Sequence, residues 1–195
     1  GLSRGAGSRF VFIASFSAHE DARSYYGRSK LAMEQALDPA RDLIIRPGLV
    51  LAPAGGVFGA MAAQIRKRRI IPLIAGGKQP LQTIHIDDLC AGVVAAVERG
   101  VAGRLLLAER TPITMREFLE LLAQRLHRSP AFLPVPAWPI FWVARVLEGL
   151  GLRAPITSEN ILGLLALRSA DTRSDLAMLN LTPRSAEQSL RDLPL

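Results

Sequence analysis

The stretch Phe10-Val-Phe-Ile-Ala-Ser15 sets the interpretation of the rest of the chain. Five consecutive apolar residues, rich in β-branched and aromatic side chains, predict a strand buried on both faces, which is typical of a parallel sheet. A helix is predicted next, from about Tyr25 to Leu37, because apolar residues recur there at helical spacing before Asp38-Pro39 ends the pattern. Ser15 is therefore expected at the carboxyl end of a buried strand.

The same alternation of strand and helix continues downstream. Its predicted elements are a strand at Leu43–Pro47, a helix at Val57–Arg68, an extended piece at Leu81–Ile86, a helix at Leu89–Glu98 capped by Asp87 or Asp88, and a strand at Arg104–Ala108. Beyond these, capping boxes at Thr114–Glu117 and Ser185–Gln188 open helices, and further helices are expected near 143–150 and 158–167. The pattern predicts an α/β sheet followed by a smaller, mostly helical lobe.

Composition narrows the function classes. The chain has 195 residues, 49% of them hydrophobic, and a single cysteine, Cys90, so neither a disordered tail nor a disulfide scaffold is expected. A net charge of +7 is compatible with binding to nucleic acid. However, the only dense basic run is Arg66–Arg69, and aromatic residues do not alternate with arginines, so no nucleic-acid partner is expected. No His, Cys or carboxylate spacing indicates a metal site.

Membrane contact is judged from the most apolar stretch, Phe132 to Leu152. Three prolines, Arg145 and Glu148 interrupt it, so no stable membrane span is predicted, and the first eight residues do not form a signal peptide. A cytoplasmic location is the expectation. The stripe formed by Trp138, Phe141, Trp142 and Val146 is interpreted as packing within the lobe or as a wall of the substrate pocket, with peripheral membrane contact left open.

Tyr26 and Lys30 carry the clearest chemical signal. Residues four apart on a helix share one face, and carboxyl strand ends line the ligand crevice of a parallel sheet, so both can converge there with Ser15. A nearby ammonium favours the phenolate and helps Tyr26 exchange a proton, while Ser15 would hydrogen-bond the substrate oxygen. His85, between apolar neighbours, is interpreted as a structural histidine.

Five segments, taken in order, give this pattern a context. Together they resemble the second half of an extended or atypical short-chain dehydrogenase/reductase of the NAD-dependent epimerase/dehydratase type: Phe10–Ser15, Tyr26–Lys30, Ile45–Gly48, His85–Asp88 and Thr114–Glu117. The resemblance implies an α/β fold, the second half of a doubly wound Rossmann-type parallel sheet with a helical substrate lobe. It divides the chain at about residue 110, into 1–110 and 111–195, with a lobe insertion near 50–80.

The resemblance also implies roles for individual residues. Ser15, Tyr26 and Lys30 match the family's catalytic positions, with Tyr26 and Lys30 also touching the cofactor. Pro47, Gly48, Leu49 and Val50 match the stretch that packs against the nicotinamide. The implied cofactor is NAD or NADP. The partners it implies are a small-molecule substrate and, as an open option, a second copy of the chain.

Two departures from the family pattern matter. The Gly-rich turn that cradles the cofactor pyrophosphate follows an N-terminal strand in the family and has no counterpart here, since Gly55-Gly56 and Gly76-Gly77 have the wrong spacing. The chain is therefore expected to be a C-terminal portion, inactive by itself. In addition, Leu81 stands where nucleotide-sugar members carry a phosphate-binding arginine, and only the point charge of Lys78 could substitute.

The predicted function is that of an NAD(P)-dependent oxidoreductase or epimerase. It would act at a carbinol or carbonyl carbon of a small substrate that is apolar or at least not a nucleotide. The alternative is a non-catalytic dinucleotide-binding assembly subunit similar to the complex I accessory subunit. Retention of Ser15, Tyr26 and Lys30 together favours the enzyme.

Overall fold

A computed structural model describes residues 8–53, 55–152 and 157–195. Its strands are β1 (Val11–Ile13), β2 (Leu43–Pro47), β3 (Leu49–Leu51), β4 (Ile70–Ile74), β5 (Pro80–Leu81), β6 (Thr83–His85), β7 (Gly103–Leu107), β8 (Ile113–Thr114) and β9 (Ala131–Val135). Its helices are α1 (Tyr25–Gln35), α2 (Gly56–Lys67), α3 (Ile86–Glu98), α4 (Met115–Arg125), α5 (Ala137–Gly149), α6 (Ser158–Leu165), α7 (Arg173–Leu179) and α8 (Ala186–Asp192).

The principal sheet is parallel, with strand order β1-β2-β7. β3 continues almost directly from β2 but pairs in parallel with β6, because the chain changes partner at Gly48. Two further pairs are parallel β4-β9 and antiparallel β5-β8. The mixed α/β fold with parallel sheets confirms the predicted fold class.

β1 is the edge strand of the principal sheet. The sequence predicted a strand buried on both faces, but Val11 and Ile13 are each 40% exposed, and only Ala14, just after the strand, is fully buried. β1 pairs with β2 alone among the described strands, so it lacks the cover that central strands receive. β2 has a neighbour on each side, and Leu43, Ile44 and Ile45 are buried as predicted.

The two predicted capping boxes are confirmed, and the predicted cap of α3 is not. Both capping boxes form, at Thr114 with Glu117 and at Ser185 with Gln188. The predicted cap of α3 by Asp87 or Asp88 is wrong. His85 is the N-cap, and its Nδ1 accepts the backbone N–H of Asp87 at 3.2 Å. Because the helix begins at Ile86, both aspartates lie within its first turn.

The segment 70–81 joins the C-terminal part of the chain through two strand pairs. β4 pairs with β9 and β5 pairs with β8, so residues near 70–81 form strands with residues beyond 110. Side chains of α2, α4 and α8 share one apolar cluster, whose centre includes Phe58, Phe118 and Leu122. The division of the chain at about residue 110 remains a prediction.

α5 begins six residues earlier than the sequence predicted. Pro139 falls in its first turn, where a missing N–H costs no helical hydrogen bond, so the proline is tolerated. The predicted stripe on this helix is not buried as lobe packing. Phe141 is half-buried, but Trp138 and Trp142 are 71% and 60% exposed. Within the described ranges, no helix combines the length and the hydrophobicity needed to cross a bilayer.

Candidate active site

The amino end of α1 is fitted closely against the loop that follows β1. Ser24 caps the helix, its hydroxyl accepting the N–H of Gly27 at 3.2 Å. A Cβ on Gly27 would lie 2.5 Å from the carbonyl oxygen of Ser17 and 2.9 Å from the Cβ of Ala22. Only glycine permits this approach, so Gly27 sets the distance between the loop and the helix that carries Tyr26.

Lys30 joins the helix to the edge strand. Its ammonium donates a hydrogen bond to the carbonyl oxygen of Ile13 at 3.0 Å. The same nitrogen lies 4.9 Å from the centre of the Phe12 ring and 5.8 Å from the centre of the Tyr26 ring. The structure therefore brings Tyr26 and Lys30 together at the carboxyl end of β1, with the Tyr26 side chain half in solvent.

Ser15 lies two residues beyond the carbonyl that Lys30 holds. Its hydroxyl oxygen accepts the backbone N–H of Ser17 at 3.1 Å, which leaves the hydroxyl proton available as a donor. The next residue, Phe16, donates its N–H to the carbonyl oxygen of Pro47 at 3.1 Å. Ser15 is thus fixed between the loop leading to Tyr26 and the end of β2.

The predicted nicotinamide-contacting stretch passes directly beside this point. Gly48 donates its N–H to Leu107 on β7, and a Cβ on Gly48 would lie 2.3 Å from the carbonyl oxygen of Gln82. Pro47 is buried, while Leu49 and Val50 are half-buried and pack against two different core clusters. The backbone of residues 47–50 is held rigidly, and its contact with a cofactor stays a prediction.

Sequence reasoning missed the contacts between this loop and α6, because no local pattern indicates them. Glu159 of α6 accepts the N–H of Tyr25 at 2.5 Å, and His19 Nε2 lies 3.1 Å from the carbonyl oxygen of Ala166. Arg168 and Asp21 add an exposed ion pair at 2.8 Å. α6 thereby abuts the segment that connects Ser15 with Tyr26.

Glu34, on the other end of α1, is also a residue that sequence reasoning missed. It is buried and forms a bidentate ion pair with Arg46 of β2, with oxygen–nitrogen distances of 2.8 and 2.7 Å. Arg104 of β7 approaches the same carboxylate at 3.5 Å. These bonds connect α1 to two strands. In the sequence, the only indication of this buried ion pair was a charged residue at a core position of the helix.

Glu109 forms a second buried junction. Its carboxylate accepts the backbone N–H and the hydroxyl of Thr83 at 2.9 and 2.8 Å and the N–H of Ala186 at 3.0 Å. Burial raises the pKa of Glu109 above its ordinary value, against these hydrogen bonds, which lower it. The residue connects β6 and the end of β7 with the start of α8.

The structure bears on two expectations about phosphate binding, one for Leu81 and one for Gly55-Gly56. Leu81 is buried in β5 within the cluster formed by α2, α4 and α8, as an apolar side chain in place of arginine should be. The second expectation is that Gly55-Gly56 do not form the pyrophosphate turn; they follow β3 in sequence and open α2 with positive φ angles of 83° and 61°. β3 is, however, outside the principal sheet, and the G-x-G-x-x-G spacing is absent.

Comparison with known proteins places this geometry in a class. The fold is that of NAD(P)-binding proteins of Rossmann type: human epimerase family protein SDR39U1 (isoform 2), solved with NADPH, aligns with a TM-score of 0.69 at 22% identity over 95% of this chain and 66% of its own. Residues 8–107 match the NAD dependent epimerase/dehydratase family. The chain belongs to this family, which confirms the resemblance.

Two curated proteins are similar to part of this chain. The chain is 27% identical over 139 residues to "Ceramide reductase" of Caulobacter vibrioides, covering 69% of this chain and 43% of that protein. It is 23% identical over 133 residues to NADH dehydrogenase [ubiquinone] 1 alpha subcomplex subunit 9, mitochondrial, of Arabidopsis thaliana, covering 66% and 33%. The chain thus spans less than half the length of either relative.

The cofactor of this family is NAD(P). The residues around Lys30 fit one part of this cofactor, its ribose. An ammonium can donate three hydrogen bonds. Among the described residues, Lys30 donates one of them, to the carbonyl oxygen of Ile13. The remaining protons suit a ribose diol. The partly exposed Tyr26 ring beside it leaves room for a ligand at the strand end.

Proposed function

We propose that the chain carries the proton-transfer side of an NAD(P)-dependent oxidoreductase or epimerase acting at a carbinol or carbonyl carbon. The observation that supports this proposal most strongly is the position of Lys30. Its ammonium donates a hydrogen bond to the Ile13 carbonyl at the end of β1 and lies 5.8 Å from the centre of the Tyr26 ring. In other proteins this end of a parallel strand faces the ligand crevice. Family membership supports the reaction class.

Ser15 and Tyr26 have one task each in this reaction, and Lys30 has two. Lys30 would hold the ribose of a bound NAD(P), whose nicotinamide would supply hydride to the reacting carbon or accept hydride from it. In the reductive direction Tyr26 gives its phenolic proton to the substrate oxygen, and the neighbouring ammonium of Lys30 stabilises the phenolate that remains. Ser15 donates a hydrogen bond to the same oxygen and keeps its proton, since its own oxygen accepts the N–H of Ser17. In the oxidative direction the same groups act in reverse.

An apolar substrate without a nucleotide is favoured. Leu81 is apolar, and its side chain is buried in the core, so this position offers neither charge nor contact to a substrate phosphate. The ceramide reductase relative, by its name, also acts on a lipid. The C-terminal part that abuts the catalytic loop is rich in Leu, Phe and Trp, which suits an apolar ligand.

A hydride-transfer assay with the full-length gene product tests the proposal. NADH and NADPH deuterated at the transferring position are incubated with long-chain ketones and with UDP- and dTDP-sugars. Deuterium is expected in the carbinol of an apolar product. Conversion of a nucleotide-sugar, or its micromolar binding weakened by salt, contradicts the substrate class. Tight dinucleotide binding without hydride transfer to any carbonyl favours the alternative, a non-catalytic assembly subunit resembling the complex I relative.

A further inference from the structure

The outer face of α5 is an apolar surface that the described structure leaves uncovered. We define the α5 face by its exposed large side chains: Trp138, Trp142, Val143, Val146 and Leu150. At about 100° per residue these positions fall within an arc of roughly 140°. The opposite side of the helix is held in the core, where Ala144 is buried with Ile74 and Ile161. Exposure on this scale is unusual for tryptophan in a soluble surface helix.

The apolar surface extends from α5 onto the ribbon formed by β4 and β9. Paired residues in these strands point to the same side, so Ile70, Pro72, Ile74, Leu133 and Val135 share one face of the ribbon. Ile74 and Val135, at the carboxyl end, pack in the cluster that α5 covers. Ile70 and Leu133, nearer the amino end, are 57% and 53% exposed. The uncovered apolar area therefore continues past the helix.

Positive charge borders this area. The basic run Arg66–Arg69 is exposed and leads directly into β4, beside the exposed Ile70. Arg145 is exposed on α5 itself. The only acid on the helix, Glu148, is turned to α6: its carboxylate accepts the N–H and the hydroxyl of Ser158, each at 2.7 Å. Neither β4 nor β9 contains an acidic residue.

We propose that the α5 face docks on the surface of a membrane that contains anionic lipid. Tryptophan is suited to the interface between headgroups and acyl chains, and a basic border is attracted to anionic headgroups. A helix of 13 residues with one apolar and one packed side would lie in the plane of the interface. A second copy of the chain complements this surface less well, because it brings another net charge of +7 to the same place.

Intrinsic fluorescence gives a direct readout, because the two tryptophans of the chain are both on the α5 face. The full-length protein is titrated with vesicles of phosphatidylcholine alone and with vesicles that also contain about 30% phosphatidylglycerol, and the signal of the Trp138→Ser/Trp142→Ser variant is subtracted so that only the α5 face is observed. A blue shift and protection from acrylamide are expected with the anionic vesicles and should decrease at high salt. Equal response to both vesicles, or none, overturns the proposal.

Co-sedimentation of variants identifies the surface. Trp138→Ser with Trp142→Ser should weaken vesicle binding at least about tenfold, and Arg68→Gln with Arg69→Gln should weaken it in anionic vesicles only. The matched controls are Val94→Ser with Val97→Ser on α3 and Arg173→Gln with Arg191→Gln on α7 and α8, which should bind as the unaltered chain does. Circular dichroism checks folding.

The alternative occupants give different results in the same experiment. One such result is a dimer of the unaltered protein, seen by light scattering, that is absent in the tryptophan variant. If this occurs without vesicle binding, a second copy covers the α5 face and the proposal fails. Loss of binding in the α3 control to the same extent as in the α5 variant also contradicts it, because the effect would then be general surface hydrophobicity.

Discussion

The ammonium of Lys30 donates a hydrogen bond to the carbonyl oxygen of Ile13 at 3.0 Å. This bond connects α1 to the edge strand two residues before Ser15. It fixes the ammonium beside the Tyr26 ring, where one charge can stabilise a phenolate and, with its other protons, hold a ribose.

Lys30→Met should therefore affect both steps. We expect the dinucleotide Kd of the full-length protein to rise at least tenfold, about 1.4 kcal/mol, and kcat to fall as well. Titration calorimetry and steady-state rates measure the two effects. Arg28→Met, an exposed cation on the same helix, is the control and should change neither by more than about twofold. Unchanged Kd and kcat in Lys30→Met would remove both roles.

Gly27→Ala tests whether the loop and α1 must approach closely. The new Cβ would meet the Ser17 carbonyl at 2.5 Å, so the backbone has to move. We expect a loss of about 1–3 kcal/mol in the free energy of unfolding and a fall in turnover of more than tenfold. Gly163→Ala on α6 is the matched control, since its Cβ would meet only Ser24 at 3.8 Å and should be neutral or stabilising.

Removing one partner of the buried Glu34–Arg46 pair should destabilise the protein strongly. Glu34→Leu leaves the Arg46 charge buried, and we expect a loss of about 3–5 kcal/mol in urea unfolding. The double variant Glu34→Leu/Arg46→Met removes both charges and should recover most of that loss. The exposed pair Glu187–Arg191 serves as a control, with an expected effect below about 1 kcal/mol. A double variant as unstable as the single one would contradict the account.

Glu109 predicts a pH dependence with a defined sign. Because its folded pKa is raised, protonation of Glu109 stabilises the fold at low pH, and this contribution disappears as the pH rises through the folded pKa. Glu109→Gln has no such contribution and leaves the N–H of Ala186 without its acceptor, at a cost of about 1–3 kcal/mol. The stability gap between the two proteins should narrow as the pH is raised from about 4 towards neutrality. A gap that widens would contradict the raised pKa.

The sequence was sufficient for the elements with strong local signals. β2 opens with three consecutive apolar residues, Leu43–Ile45, and the capping boxes at Thr114 and Ser185 are local hydrogen-bond patterns, so each was predicted within a few residues. Tyr26 and Lys30 were found because helical spacing places them on one face and because the family resemblance gives the pair its context.

The remaining features depend on contacts that local pattern does not encode. No strand was predicted at Ile70–Ile74; β4 tolerates Pro72 because its only described partner is β9 and the proline nitrogen can face away from it. His85 replaces the expected aspartate cap because its ring nitrogen reaches the Asp87 N–H. The Glu159 contact with Tyr25 joins residues more than a hundred positions apart.

Tyr26→Phe in the full-length protein tests the central claim most directly, with Tyr25→Phe as the control. Both residues are exposed tyrosines at the start of α1, and both changes remove only a phenolic hydroxyl. Steady-state turnover is measured together with NAD and NADP binding. The account predicts that Tyr26→Phe abolishes hydride transfer with nearly unchanged cofactor affinity, while Tyr25→Phe stays active. More than about a tenth of the unaltered activity in Tyr26→Phe, a barrier increase below roughly 1.4 kcal/mol, would contradict it.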